Sequence, residues 1–114
     1  MNLVLIRRQA KGMMGGVSFE IVGKITLSQE EANLVKHYKL ENEELVRKPF
    51  IVFGVETGRV LSVSVKNLLN GDSFKAKDLS EVVAHTDSLL TACEALKTYL
   101  EVARKFGGEE ILEF

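Results

Sequence analysis

The stretch "DSLLTACEALKTYLEVARKF", residues 87–106, decides the fold. Leu89, Leu90, Cys93, Leu96, Leu100 and Ala103 recur at helical spacing, and Ala92, Ala95, Tyr99, Val102 and Phe106 widen the stripe. At 3.6 residues per turn these positions gather on one side of an amphipathic helix. Arg104 and Lys105 suit the negative end of its dipole, and Gly107-Gly108 stops it. The stripe is broader than a coiled-coil seam, so it needs a surface to cover.

The remainder of the chain supplies that surface as strands. In "VSFEIVGKITL" (17–27), Val17, Phe19, Ile21, Ile25 and Leu27 alternate with Ser18, Glu20, Lys24 and Thr26. A period of two is the pattern of a strand buried on one face only. Gly23 interrupts the apolar face and marks a bulge or a close approach by another element. "NLVLIRRQ" (2–9) reads as a preceding strand, and Gly12, Gly15 and Gly16 supply an irregular hairpin tip between them.

Ser28 with Glu31 forms a capping box, and Ala32, Leu34, Val35 and Tyr38 continue it as a short helix. "FIVFGV" (50–55) and "RVLSVSV" (59–65), joined by "ETG", predict a second hairpin whose Pro49 suits a strand start or an edge. "KNLLNG" (66–71) resembles one helical turn, and "SFKAK" (73–77) a short strand. Residues 78–86 are ambiguous: Asp78 and Glu81 favour a helix start, whereas Val82-Val83 weakens it. "EEILEF" (109–114) reads as a final strand. The sum is one α+β domain over residues 1–114. It has a mainly antiparallel sheet of two hairpins plus a C-terminal strand, with a short helix and one long C-terminal helix packed on one face.

Composition narrows the function. Lys+Arg number 15 against 16 Asp+Glu, a net charge of -1, which lacks the electrostatic footprint of a dedicated nucleic-acid binder and permits self-association. One cysteine excludes an internal disulfide and a multi-thiolate metal site. No apolar run reaches the roughly 20 residues that span a bilayer, and no leader-like segment opens the chain. A cytoplasmic protein away from membranes is the expectation.

The segment "RRQAKGMMGG" (7–16) is the main candidate for binding. In one reading Arg7, Arg8 and Lys11 contact phosphates while Met13 and Met14 wedge against bases. In the other, glycines turn the chain and the arginines are neutralised by Glu109, Glu110 and Glu113 of the last strand, as cross-strand neighbours. The second is the simpler. Met13 and Met14 could equally pack on a second subunit, since methionine adapts to irregular surfaces.

Chemistry finds little support. Were Cys93 a nucleophile and His85 its base, a shared helix would hold them roughly 12 Å apart along its axis. Cys93 instead falls in the apolar stripe, His37 reads as helix surface, and no phosphate-cradling glycine pattern or metal-ligand cluster occurs. A Ser62–His85–Asp72 triad can be drawn only as almost any chain allows. The expectation is a non-enzymatic interaction or regulatory module without cofactor or metal, acting through protein–protein contacts and able to form a homodimer. The alternative is weak nucleic-acid binding through Arg7, Arg8 and Lys11.

Overall fold

The computed structural model describes residues 1–11 and 17–114. Strands β1 (Asn2–Lys11) and β2 (Val17–Thr26) form an antiparallel hairpin, paired from Asn2↔Thr26 to Lys11↔Val17. Helix α1 (Gln29–His37) follows, and a single 3-10 turn at Leu40–Asn42 leads into β3 (Glu44–Val52). Next come β4 (Val55–Ser64), α2 (Val65–Asn70), β5 (Asp72–Ala76) and the long α3 (Leu79–Lys105). The fold is α+β, with its strands in two antiparallel sheets rather than one, ordered β1-β2-β5 and β3-β4.

Alternation along β2 settles which side is covered. Ile21, Gly23 and Ile25 are buried, whereas Lys24 and Thr26 face out. Helix α3 lies over the buried side and contributes Leu89, Ala92, Leu96, Leu100 and Ala103 to the core. The stripe that seals is narrower than the periodicity implied, for Leu90, Tyr99, Val102 and Phe106 are exposed. Gly23 records the closeness of this packing. A Cβ there would stand 2.7 Å from Leu89 Cδ1 and 2.9 Å from Cδ2, while the strand keeps its register opposite Leu5. The glycine is a close approach and not a bulge.

Local chemistry sets the helix ends. The Glu31 backbone donates to Ser28 Oγ (3.2 Å) and the Ser28 backbone to Glu31 Oε1 (2.9 Å), completing the capping box. The Ser28 backbone N–H foremost, and then the Met1 ammonium 3.0 Å away, hold the Glu31 carboxyl below its ordinary pKa despite burial. The ambiguity at residues 78–86 resolves as helix. Asp78 accepts from the Glu81 backbone (2.9 Å), and Val82 is buried, so tertiary packing outweighs the weak helix preference of its β-branched side chain. Gly107, at φ 89, ends the helix.

Two sequence expectations are corrected. Residues 109–114 form no strand: Glu110 pairs with Lys105 at 3.5 Å, and Ile111, Leu112 and Phe114 are exposed. The β1 strand pairs with β2, its close neighbour in sequence, and stays an edge strand of the sheet. The turn of the second hairpin lies at Phe53-Gly54, not at "ETG". Val52 faces Val55, and both intervening residues have positive φ (50 and 74), the geometry of a two-residue type I′ turn. Thr57-Gly58-Arg59 instead forms an irregularity in β4, between the pairs Pro49↔Val60 and Ile51↔Glu56. Pro49 accordingly sits within β3, in a two-stranded sheet where either strand is an edge.

Candidate functional site: an exposed arm and the cleft at its base

The β3–β4 hairpin divides into two halves. Near the body Val46, Leu61 and Val63 are buried. Beyond Phe50 and Leu61, every residue of β4 from Val55 to Val60 is exposed. Three residues at about 3.4 Å each carry the turn roughly 10 Å past Phe50. The apolar content does not fall with exposure. Ile51 is 52%, Phe53 86%, Val55 67% and Val60 54% exposed, four large hydrophobic side chains on one short arm. Single exposed apolar residues are ordinary, but a group at a projecting tip marks an interaction surface. Phe53 is the most telling, because positive φ is unfavourable for a bulky side chain and is usually left to Asn, Asp or Gly.

The molecule as a whole is elongated. Its radius of gyration is 17.0 Å and its long axis 60 Å. A chain of this length packed to a near sphere would have a radius of gyration of about 13 Å.

At the base of the arm lies a cleft of about 240 Å³, bounded by Phe50, Arg59, Val60, Leu61, Ser73, Phe74, Lys75 and His85. The irregularity in β4 shapes its rim. Thr57 Oγ1 donates to the Phe50 carbonyl (3.0 Å) and accepts from the Arg59 backbone (3.2 Å), and the Arg59 guanidinium carbon sits 4.7 Å from the Phe50 ring centroid. His85, from α3, is 4% exposed and stacks between Phe50 (5.2 Å) and Phe74 (4.8 Å), each at an interplanar angle of 13°. Neither ring nitrogen has a hydrogen-bond partner among the described residues. Burial lowers the His85 pKa, Glu81 and the Lys75 backbone oppose that, and Arg59 and Lys48 reinforce it.

The basic hairpin takes a different form from the sequence expectation. Arg7 and Arg8, adjacent on β1, point to opposite faces of the sheet, as strand geometry requires. Arg8 Nε donates to Glu20 Oε2 at 2.9 Å, and Ser73 Oγ donates to Glu20 Oε1 at 2.9 Å. Arg8, then Ser73, hold the Glu20 carboxyl below its ordinary pKa, and Glu20 raises that of Arg8. The neutralising carboxylate is thus the cross-strand Glu20, not the C-terminal Glu109, Glu110 or Glu113. Arg7 lies beside Leu79 and Val82 of α3. Lys11 ends β1, while Met13 and Met14 lie outside the described residues.

Cys93 is half-buried at the edge of the stripe instead of fully interior, and burial, then Glu94, raises its thiol pKa. A raised pKa disfavours the nucleophilic thiolate. His37 is exposed and stacks edge-on against Tyr38 at 4.8 Å. Ser62 hydrogen-bonds Glu44, and no hydrogen bond joins His85 to Ser62 or Asp72. Among the described residues no group of three or more His, Cys, Asp or Glu could hold a metal ion, and no helix is long and apolar enough to cross a membrane.

Sequence reading missed both the arm surface and the cleft. One signal was present for the arm: Phe53-Gly54 offered a glycine-bearing turn as good as Thr57-Gly58. No family model, curated protein or solved structure matches the chain.

Proposed function

We propose that this protein is an interaction module that pairs with a second copy of itself through the β3–β4 arm. The observation that carries this reading is the exposure of Ile51, Phe53, Val55 and Val60 together on the distal half of one hairpin. Burying four such side chains stabilises a complex by about 25 cal/mol per Å² of apolar surface removed from water. The second copy is the partner favoured here because net charge of -1 imposes almost no repulsion between identical chains. A two-fold arrangement would also let each arm cover the other with one patch. Lys48 and Pro49 blunt the β3 edge, so side-chain packing at the tip, not added strand pairing, is the mode of contact.

Light scattering coupled to size-exclusion chromatography on the full chain tests this. A dimer at micromolar concentration is the expected result. Ile51→Thr with Phe53→Ser should return a monomer with an unchanged circular-dichroism spectrum. A wild-type monomer at every accessible concentration removes the proposal. Nucleic-acid binding through Arg7, Arg8 and Lys11 gains no support from the geometry, since Arg8 is engaged by Glu20 and Arg7 faces the other way.

A further inference from the structure

We propose that the cleft between the arm and α3 binds a small organic acid, an oxyanion carried on a flat apolar body. Three independent features converge there. His85 is almost wholly buried, yet neither ring nitrogen has a well-formed hydrogen bond among the described residues, the Lys75 backbone only approaching the ring, and a buried polar group so left is costly. Its ring stacks on Phe50 and Phe74, contributed by β3 and β5, which leaves hydrogen bonding to the ring edge. His85 lines a cleft whose charged lining residues are Arg59 and Lys75, while the Glu81 carboxylate acts on the ring from its own helix.

These features assign roles. A neutral imidazole offers one N–H donor and one acceptor. Arg59 carries a planar fork suited to a carboxylate or phosphate, and it forms no ion pair among the described residues. The ligand's oxyanion would meet Arg59 and the His85 N–H, while its apolar part rests on Phe50 and Phe74. At about 240 Å³ the cleft excludes a nucleotide-sized molecule and fits a single small ring. The Pro49↔Val60 pairing brings Arg59 alongside Phe50, and its guanidinium carbon lies 4.7 Å from the Phe50 ring centroid.

The protein contains two histidines, which makes the test direct. Long-range ¹H–¹⁵N NMR of the labelled full chain would follow the ring nitrogens during titration with benzoate, phenyl phosphate and inorganic phosphate. His85 should shift saturably with benzoate or phenyl phosphate, with Kd below about 1 mM, while exposed His37 stays still. Arg59→Gln, on the exposed arm, should weaken binding at least tenfold by calorimetry. His85→Phe, which keeps the ring stack, should do the same. The proposal fails if neither aryl acid shifts His85 saturably, if His37 and His85 move together without saturation, or if Arg59→Gln binds as wild type does. It fails also if inorganic phosphate binds as tightly as phenyl phosphate.

Discussion

The two hairpins of this protein are near equals in sequence and opposites in fate. Each pairs strands of nine or ten residues, and each carries apolar residues on both sides of its turn. In the β1–β2 hairpin the apolar face lies under α3, and Ile21 and Ile25 lose essentially all contact with water. In the β3–β4 hairpin only the proximal half meets that helix, so Ile51, Phe53, Val55 and Val60 stay exposed. Apolar residues that fold the first hairpin are left, in the second, for something else. The difference teaches that exposure follows from the reach of α3 and not from the composition of the strands.

The sharpest way to break this comparison is to cut the same kind of side chain from each region. Leu96→Ala, in the core beneath α3, should lower unfolding free energy by about 2–5 kcal/mol in urea denaturation. Phe53→Ser should leave the unfolding of the monomer almost unchanged and remove self-association. A large stability loss from Phe53→Ser would show that the arm belongs to the fold.

Next in size is Gly23→Ala. Its methyl would meet Leu89, itself fully buried and with little room to yield, so a loss of about 1–3 kcal/mol is expected. Leu89→Ala alone should cost about 2–5 kcal/mol, but the double variant should be less than additive, since the added methyl occupies space that leucine vacates. Additivity would mean the strand and helix do not meet where the geometry places them.

A smaller effect, of opposite sign, belongs to the arm. Phe53→Asn suits positive φ and creates the Asn-Gly pair favoured in type I′ turns, so the hairpin should gain stability on the order of 0.5 kcal/mol. The same change should weaken dimerisation. That would separate turn chemistry from interface chemistry at one residue.

The smallest effect is pH-dependent and concerns the joint between the regions. Burial sets the native His85 pKa below the unfolded value, against the pull of Glu81 and with help from Arg59 and Lys48. Above about pH 6.5 both states hold a neutral ring and stability is unaffected. As pH falls below that value the unfolded chain takes up a proton that the native state refuses, so stability declines until the native pKa is reached. Denaturation curves at pH 7.5 and 5.5 should show this decline, and His85→Phe should flatten it. An equal slope in both proteins would assign the dependence to other groups.

Much of the architecture was legible because it depends on neighbours in sequence. Ser28 and Glu31, three residues apart, cap a helix, alternation from Val17 to Leu27 defines a one-sided strand, and Gly107 stops a helix. Legibility failed where two local signals competed. Phe53-Gly54 and Thr57-Gly58 are both credible turns, and the pairing of Val52 with Val55 decides between them. The C-terminal "EEILEF" has strand composition but adds to neither sheet, although β1 is an edge strand paired on one side only among the described residues. The sequence predicts a carboxylate beside Arg8, and one stands there, but it is Glu20 twelve residues away and not the tail.

The cleft was beyond such reading altogether. Phe50, Arg59, Phe74 and His85 come from β3, β4, β5 and α3, and no spacing between them carries information until the elements pack. Sequence alone determined what each segment prefers, because periodicity and capping act over one or two turns of chain. Only the tertiary structure decided which apolar residues α3 covers and which it leaves bare, because burial depends on what arrives opposite a face from elsewhere in the chain.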